Sequence, residues 1–331
     1  MIFPYRYFVR SIKRGNQVKS HVHRAAIASF KVPGGTTRPS IAALLGLAAV
    51  MASTSAFADG NSAKAKLQAN LRRAGMTAPD LNAPGITVLP ALVKGMYGIY
   101  AADGTVLTVT NEAGTITGKS KPGYHTVGLQ PGKPRLMTPS QLDELRAEVM
   151  ANIDYDKLIK ITYGNGGGRK ILMFSAVDCP ACNQFEKGLQ KAAAVMNTTF
   201  YLVPGTLRDS ADGGLPFLEK VIRIKCDGDP SKAWQSYWAT RSVPPARACA
   251  LTPQRAEQDF NLLYGIMLAV KSIKPVIPML VSEDGKWLPL IAGMTPAKAE
   301  AAFGAERKAP AIQPTTQWLA VAQPAPSGKA R

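Results

Sequence analysis

The sequence predicts a mixed α/β protein: a small α+β unit, a joining helix, and a larger α/β unit. Three observations carry this. Short strand-like runs separated by Asp-Gly and Ala-Gly turns fill residues 86–117. A capped helical pattern follows at 139–153. The apolar run Lys170–Ala176 then leads directly into Cys179-Pro-Ala-Cys182, which opens a second helical pattern. A length of 331 residues, 46% of them apolar, is enough for two cores.

Residues 1–58 read as an export signal. They hold eight Lys or Arg and no acid, then an apolar run from Ile41 to Ala52 and the small-residue site Ala56-Phe57-Ala58. Twelve apolar residues are short for a bilayer span, so cleavage near Asp59 is expected rather than anchoring. The basic leader also accounts for much of the net charge of +18. The remaining basic residues are scattered, without a dense basic run interleaved with aromatics, so nucleic-acid binding is not expected.

The first mature unit is placed at 59–137. A helix from Ser62 to Ala74, ended by Gly75, precedes strand-like runs at Ile86–Leu89, Gly98–Ala101, Thr105–Thr110 and Thr115–Thr117. Its histidine, His125, has no cysteine or acid at ligand spacing, and no metal is expected. Thr138-Pro139-Ser140-Gln141 is a helix start with a capping box, and Leu142, Leu145, Val149 and Ile153 recur at helical spacing. Residues 138–153 are therefore either a linker helix or the first helix of the next unit.

The second unit is placed at 154–305. The glycine-rich stretch 164–168 precedes a strand and lacks a following Gly-Lys-Ser/Thr, so it is not a phosphate cradle. After the buried strand at 170–176, helical patterns run at 180–196, 215–225, 230–240, 254–271 and 295–303. Further strands are expected at 199–203, 276–282 and 286–290, the last two turning at Asp284-Gly285. Residues 306–331, rich in Ala, Pro and Lys, are expected to be disordered.

All four cysteines, Cys179, Cys182, Cys226 and Cys249, lie beyond the leader, and the spacing favours pairing 179 with 182 and 226 with 249. A thiol at a strand-to-helix junction meets unpaired backbone N–H groups and the positive end of the helix dipole, both of which stabilise a thiolate. Cys179 is the expected nucleophile, exposed to substrate, with Pro180 at the first helical position. Cys182 is the expected resolving thiol, which displaces the mixed disulfide. A zinc half-site is disfavoured because Cys226 and Cys249 lack knuckle spacing, and a purely structural bond is the other alternative. Asp178 next to the nucleophile, and the lack of a histidine between the cysteines, weaken thiolate stabilisation while the helix terminus strengthens it. A Cys226–Cys249 bridge would enclose a helical pattern carrying Trp234 and Trp238. A structural role is the first reading for it, and a second redox pair the other.

Three stretches resemble the periplasmic disulfide isomerases of the DsbC/DsbG type: Phe174–Cys182, Ile224–Trp234 continuing to Ser242–Cys249, and Val276–Gly285. Val93–Tyr100 more weakly resembles that family's dimerisation domain. The resemblance implies a thioredoxin-like α/β fold with a helical insert, preceded by a small cystatin-like α+β domain and a linker helix. It implies a periplasmic homodimer that acts on unfolded or wrongly disulfide-bonded proteins and is kept reduced by a DsbD-like membrane thiol donor, without a cofactor. It also implies that Pro278 is cis, that Ile277 and Pro278 face substrate, and that Cys226–Cys249 is structural. Ile277 stands where the family commonly has Thr, the Pro-Ala dipeptide is not typical of the two named members, and Asp178 replaces a neutral residue. These departures leave the balance between isomerase, reductase and oxidase open, and a chaperone-like binding module is the competing function of another class.

Overall fold

The computed structural model describes residues 60–76, 80–119, 123–129, 132–166, 168–269, 276–290, 295–305 and 318–319. The expected export leader and most of the 306–331 tail lie outside them. A first helix, α1, covers residues 60–73. It packs on a six-stranded antiparallel meander: β1 (Thr87–Pro90), β2 (Met96–Tyr100), β3 (Val106–Asn111), β4 (Ile116–Lys119), β5 (Gly123–Thr126) and β6 (Arg135–Leu136). The β2–β3 turn closes at Asp103-Gly104, where the Asp103 carboxylate accepts from Thr105 N–H at 2.9 Å and Gly104 takes φ +82°. Strands β5 and β6 were not expected. They lie in a Gly/Pro-rich stretch and exist because β4 offers a free edge, Thr117 facing His125 and Gly118 facing Tyr124.

Helix α2 (Pro139–Asn152) begins with the anticipated capping box: Thr138 Oγ1 accepts from Gln141 N–H, and Gln141 Oε1 accepts from Thr138 N–H at 2.9 Å. At its far end Val93 and Ile153 form an isolated antiparallel bridge, which ties the helix to the first sheet.

The second sheet has the order β11-β10-β8-β9-β7, formed by β7 (Ile159–Tyr163), β8 (Arg169–Ala176), β9 (Thr198–Gly205), β10 (Met279–Ser282) and β11 (Trp287–Leu288). Only the β8–β9 pair is parallel, and it is joined through α3 (Pro180–Lys191) and α4 (Ala193–Met196), the long crossover that parallel neighbours require. Strand β7 escaped the sequence reading although Ile159, Ile161 and Tyr163 are buried while Lys160 and Thr162 are exposed, the alternation of a half-covered strand. Helices α5 (Leu215–Lys225), α6 (Pro230–Thr240) and α7 (Pro253–Ala269) lie between β9 and β10, and α8 (Pro296–Phe303) follows β11. The mixed sheet with a cysteine-bearing helix after its central strand is consistent with a thioredoxin-like fold. Among the described residues no helix is long and apolar enough to cross a membrane.

Strand β8 is central because both its faces are covered. Leu172 and Phe174 enter a core with Met96 and Tyr124 of the first sheet, Leu145 and Val149 of α2, and Phe260 and Tyr264 of α7. Ile171 and Met173 enter a second core with Phe185, Trp234 and Trp238. Each such side chain contributes about 1.5–3 kcal/mol on burial, so the strand that leads to Cys179 is anchored from two sides.

Within the tail expected to be disordered, Trp318 and Leu319 are instead buried. Their backbone N–H groups donate to Glu148 Oε2 at 2.9 and 3.1 Å, the indole N–H donates to Glu144 Oε2 at 3.3 Å, and Asn111 Nδ2 donates to the Trp318 carbonyl. A large apolar pair whose backbone N–H groups, indole N–H and Trp318 carbonyl are all hydrogen-bonded overrides the polar, Pro-rich composition around it.

Candidate active site

The loop from β8 into α3 is pinned on every side. Val177 N–H donates to Gly205 O at 3.0 Å, and the Tyr237 hydroxyl donates to Val177 O at 3.0 Å. Asp178 Oδ1 accepts from Leu207 N–H at 2.7 Å. Cys179 N–H then donates to Ala176 O at 3.1 Å, which closes a tight turn and presents Cys179 in extended conformation as the N-cap of α3. Pro180 occupies the first helical position, where its missing N–H leaves nothing unsatisfied.

The Cys179 sulfur therefore does what a serine or aspartate does at an N-cap: it accepts the Cys182 N–H, at 3.1 Å. Its other side faces the Ile277 carbonyl at 3.7 Å. Cys182 lies one turn further along with its sulfur toward the Ala176 N–H at 3.5 Å. Both thiols are free in this structure. The Cys179 pKa is held below that of an ordinary thiol, chiefly by the Cys182 side chain as a hydrogen-bond partner. Burial opposes this, the Cys182 and Ala181 N–H groups add to it, and the Asp178 charge works weakly against it. The Cys182 thiol is driven the other way, mainly by burial and then by its partner thiol. One thiol is thus prepared to ionise and its neighbour to stay protonated.

The expected exposure of Cys179 does not hold: only 4% of the residue is accessible. The Ile277 carbonyl lies against its sulfur, and it shares a core with the partly buried Val243, Leu251 and Ile277. The sequence pattern could place the thiol at a helix start but not foresee segments from distant parts of the chain folding over it. The Ile277–Pro278 peptide is cis, with Ile277 half-buried and Pro278 buried. Cys226, at the end of α5, and Cys249 are joined as a disulfide with Cα atoms 5.9 Å apart. Arg223 donates to Pro244 O at 2.5 Å and to Val243 O at 3.3 Å, which fixes the loop carrying Cys249 onto α5.

No protein-family model and no curated protein matches the chain. The crystal structure of a disulfide interchange protein from Neisseria gonorrhoeae is similar to it at 21% identity, covering 46% of this chain and 99% of that chain, with a TM-score of 0.35. What the site can do follows from its own geometry: a stabilised thiolate at a helix terminus beside a protonated thiol suits disulfide exchange.

Sequence reasoning overlooked Glu186. It lies on the buried stripe of α3 with Cys182, Phe185 and Leu189, and only 1% of it is accessible. Burial lifts its pKa to about 7; Ser175 and Trp234 oppose the rise, and the nearby Cys179 charge adds to it. The signal was present, since an acid four residues after Cys182 and between Phe185 and Leu189 falls on the apolar face of an amphipathic helix.

Proposed function

We propose that this chain is an exported, periplasmic thiol–disulfide oxidoreductase that attacks wrong disulfides in unfolded proteins, working as an isomerase or reductase. The observation that supports this best is the Cys179 sulfur at the N-cap of α3, accepting the Cys182 N–H while the Cys182 thiol stays buried beneath it. The Cys179 thiolate attacks a substrate disulfide, forms a mixed disulfide and expels one substrate thiolate. If another substrate thiol then attacks the linked substrate sulfur, Cys179 is regenerated and the substrate has been isomerised without net redox change. If Cys182 attacks Cys179 instead, the substrate leaves reduced and the protein is left as a disulfide, which a membrane thiol donor must reduce.

The backbone at Ile277 and Pro278, beside the sulfur, is the proposed edge against which substrate lies. The Cys226–Cys249 bridge has the structural role. Residues 59–137 are the proposed dimerisation domain, 138–153 the linker and 154–305 the catalytic domain. A second reading, a dithiol oxidase, is favoured by the lowered Cys179 pKa, because a stabilised thiolate makes the reduced form the preferred one and the disulfide a stronger oxidant.

Rescue of scrambled ribonuclease, compared with oxidation of reduced ribonuclease, tests both. The isomerase reading requires rescue that is lost in Cys179→Ala. Rescue retained in that variant would leave only a chaperone-like binding role, and activity confined to reduced ribonuclease would favour the oxidase.

A further inference from the structure

Strand β10 runs antiparallel to β8, and their pairing ends at Met279 opposite Phe174. Pro278, the residue before, has no N–H with which to extend the ladder. Residues 276–278 therefore lie outside the strands, although the register brings them to the end of β8 that leads to Cys179. Helix α7 supplies the anchor that the sheet does not. The Tyr264 hydroxyl accepts the Val276 N–H at 2.9 Å and donates to the Val276 carbonyl at 3.1 Å. One phenol thus takes both backbone groups of a single residue, as a neighbouring strand would. The next carbonyl along, that of Ile277, lies 3.7 Å from the Cys179 sulfur.

The ring that carries this hydroxyl has little freedom. It stacks on Phe260, one turn earlier in α7, with centroids 5.7 Å apart, and makes a T-shaped contact with Phe174 of β8 at 5.4 Å. Phe260 in turn lies flush against Gly205 of β9, where a Cβ would stand 2.3–2.6 Å from its ring. The start of α7 is tied down as well: Arg255 donates to Pro90 O at 3.0 Å and pairs with Asp259 at 2.8 Å. A buried tyrosine present only for packing needs one partner for its hydroxyl, and phenylalanine fills the same space. Bracketing Val276 is a more specific arrangement, and it joins a rigid helix to the backbone beside the thiol.

We propose, resting on the thiol–disulfide reading above, that Tyr264 is a positioning residue for peptide substrates: its hydroxyl fixes the backbone of Val276–Pro278 so that an extended substrate segment can lie along it with its disulfide at Cys179. Tyr264 acts through the Val276 backbone and takes no part in the thiol exchange itself. Holding that edge in place spares each binding event the entropy of ordering it. A selectivity follows. Disulfides carried on a peptide backbone depend on Tyr264, whereas small disulfides that have no backbone to align do not.

Tyr264→Phe in the full-length protein removes the hydroxyl and keeps the ring. The reduced protein is mixed rapidly with two reagents that release the same coloured nitrothiolate: dithiobis(nitrobenzoate), and a short unstructured peptide whose one cysteine carries that group as a mixed disulfide. In Tyr264→Phe the half-saturating peptide concentration is expected to rise about tenfold, the order expected when the hydrogen bonds that hold a backbone segment are lost. The limiting rate with peptide should change little, and the rate and pH profile with the small reagent should match those of the wild type, which also shows that the site is intact. A half-saturating peptide concentration equal to that of the wild type overturns the proposal. So does a parallel loss with both reagents, which would make the hydroxyl a support of the fold or of the thiol. Absence of nitrothiolate release from the wild-type protein with either reagent removes the thiol–disulfide reading itself.

Discussion

Burial of Glu186 predicts a specific pH dependence of stability. Its pKa is raised from 4.5 to about 7 in the folded chain, with desolvation as the main cause. The folded state therefore holds a proton that the unfolded state has already released over that interval. The contribution is fully present below about pH 4.5, falls as pH rises, and is gone above about pH 7. At 1.36 kcal/mol per pKa unit the loss amounts to roughly 3 kcal/mol. Glutamine has nearly the same shape and no proton to lose, so Glu186→Gln removes this slope and leaves those of other groups in place. The comparison is best made by urea unfolding from about pH 4 to pH 8, with Cys179 and Cys182 both replaced by Ser so that their titration does not intrude and the Cys226–Cys249 bridge survives without reductant. The stability difference between the chain that keeps Glu186 and its Glu186→Gln counterpart should shift by roughly 3 kcal/mol against Glu186 as pH rises. A difference that stays flat would mean that Glu186 is ionised and compensated in the folded chain, and the desolvation reasoning would fail.

The bridge between Cys226 and Cys249, 23 positions apart, closes a loop that includes α6. Replacing both cysteines by Ser should lower stability by about 3 kcal/mol in the chain-entropy estimate, seen as a lower urea midpoint; an unchanged midpoint would show that the hydrogen bonds of Arg223 and the packing of α6 hold the loop by themselves. Trp318→Ala should cost about 3–5 kcal/mol, since it removes a buried indole from the core shared with α2, and thermal unfolding measures it. Reactivity of Cys179 should not change in that variant, because Trp318 and the thiol belong to different cores.

Where the chain carries a local signal, the sequence could be read almost to the residue. The Thr138 capping box, the helix start at Pro180 and the helices 215–225 and 230–240 each depend on neighbours within one or two turns, and each stands where its residues place it. What the sequence concealed depends on distant partners. Strands β5 and β6 exist only because β4 has a free edge, and Trp318 is ordered only because Glu144, Glu148 and Asn111 receive it. The site divides in the same way. Cys179 as N-cap and Cys182 one turn on follow from spacing, whereas the covering of Cys179 requires Ile277, 98 residues away. Asp178 is a partial case: its charge does oppose the thiolate as anticipated, but among the named causes it comes last, and its carboxylate is committed to the Leu207 N–H.

Everything proposed for this chain requires Cys179 to ionise more readily than a free thiol while Cys182 does not. The ultraviolet absorbance of thiolate against pH, taken as the difference between the reduced wild-type protein and Cys179→Ser, measures that directly. A midpoint clearly below the ordinary thiol value of about 8.5 is the expected result. A midpoint at or above it would mean that burial outweighs the helix terminus and the Cys182 partner, and the site would have no nucleophile.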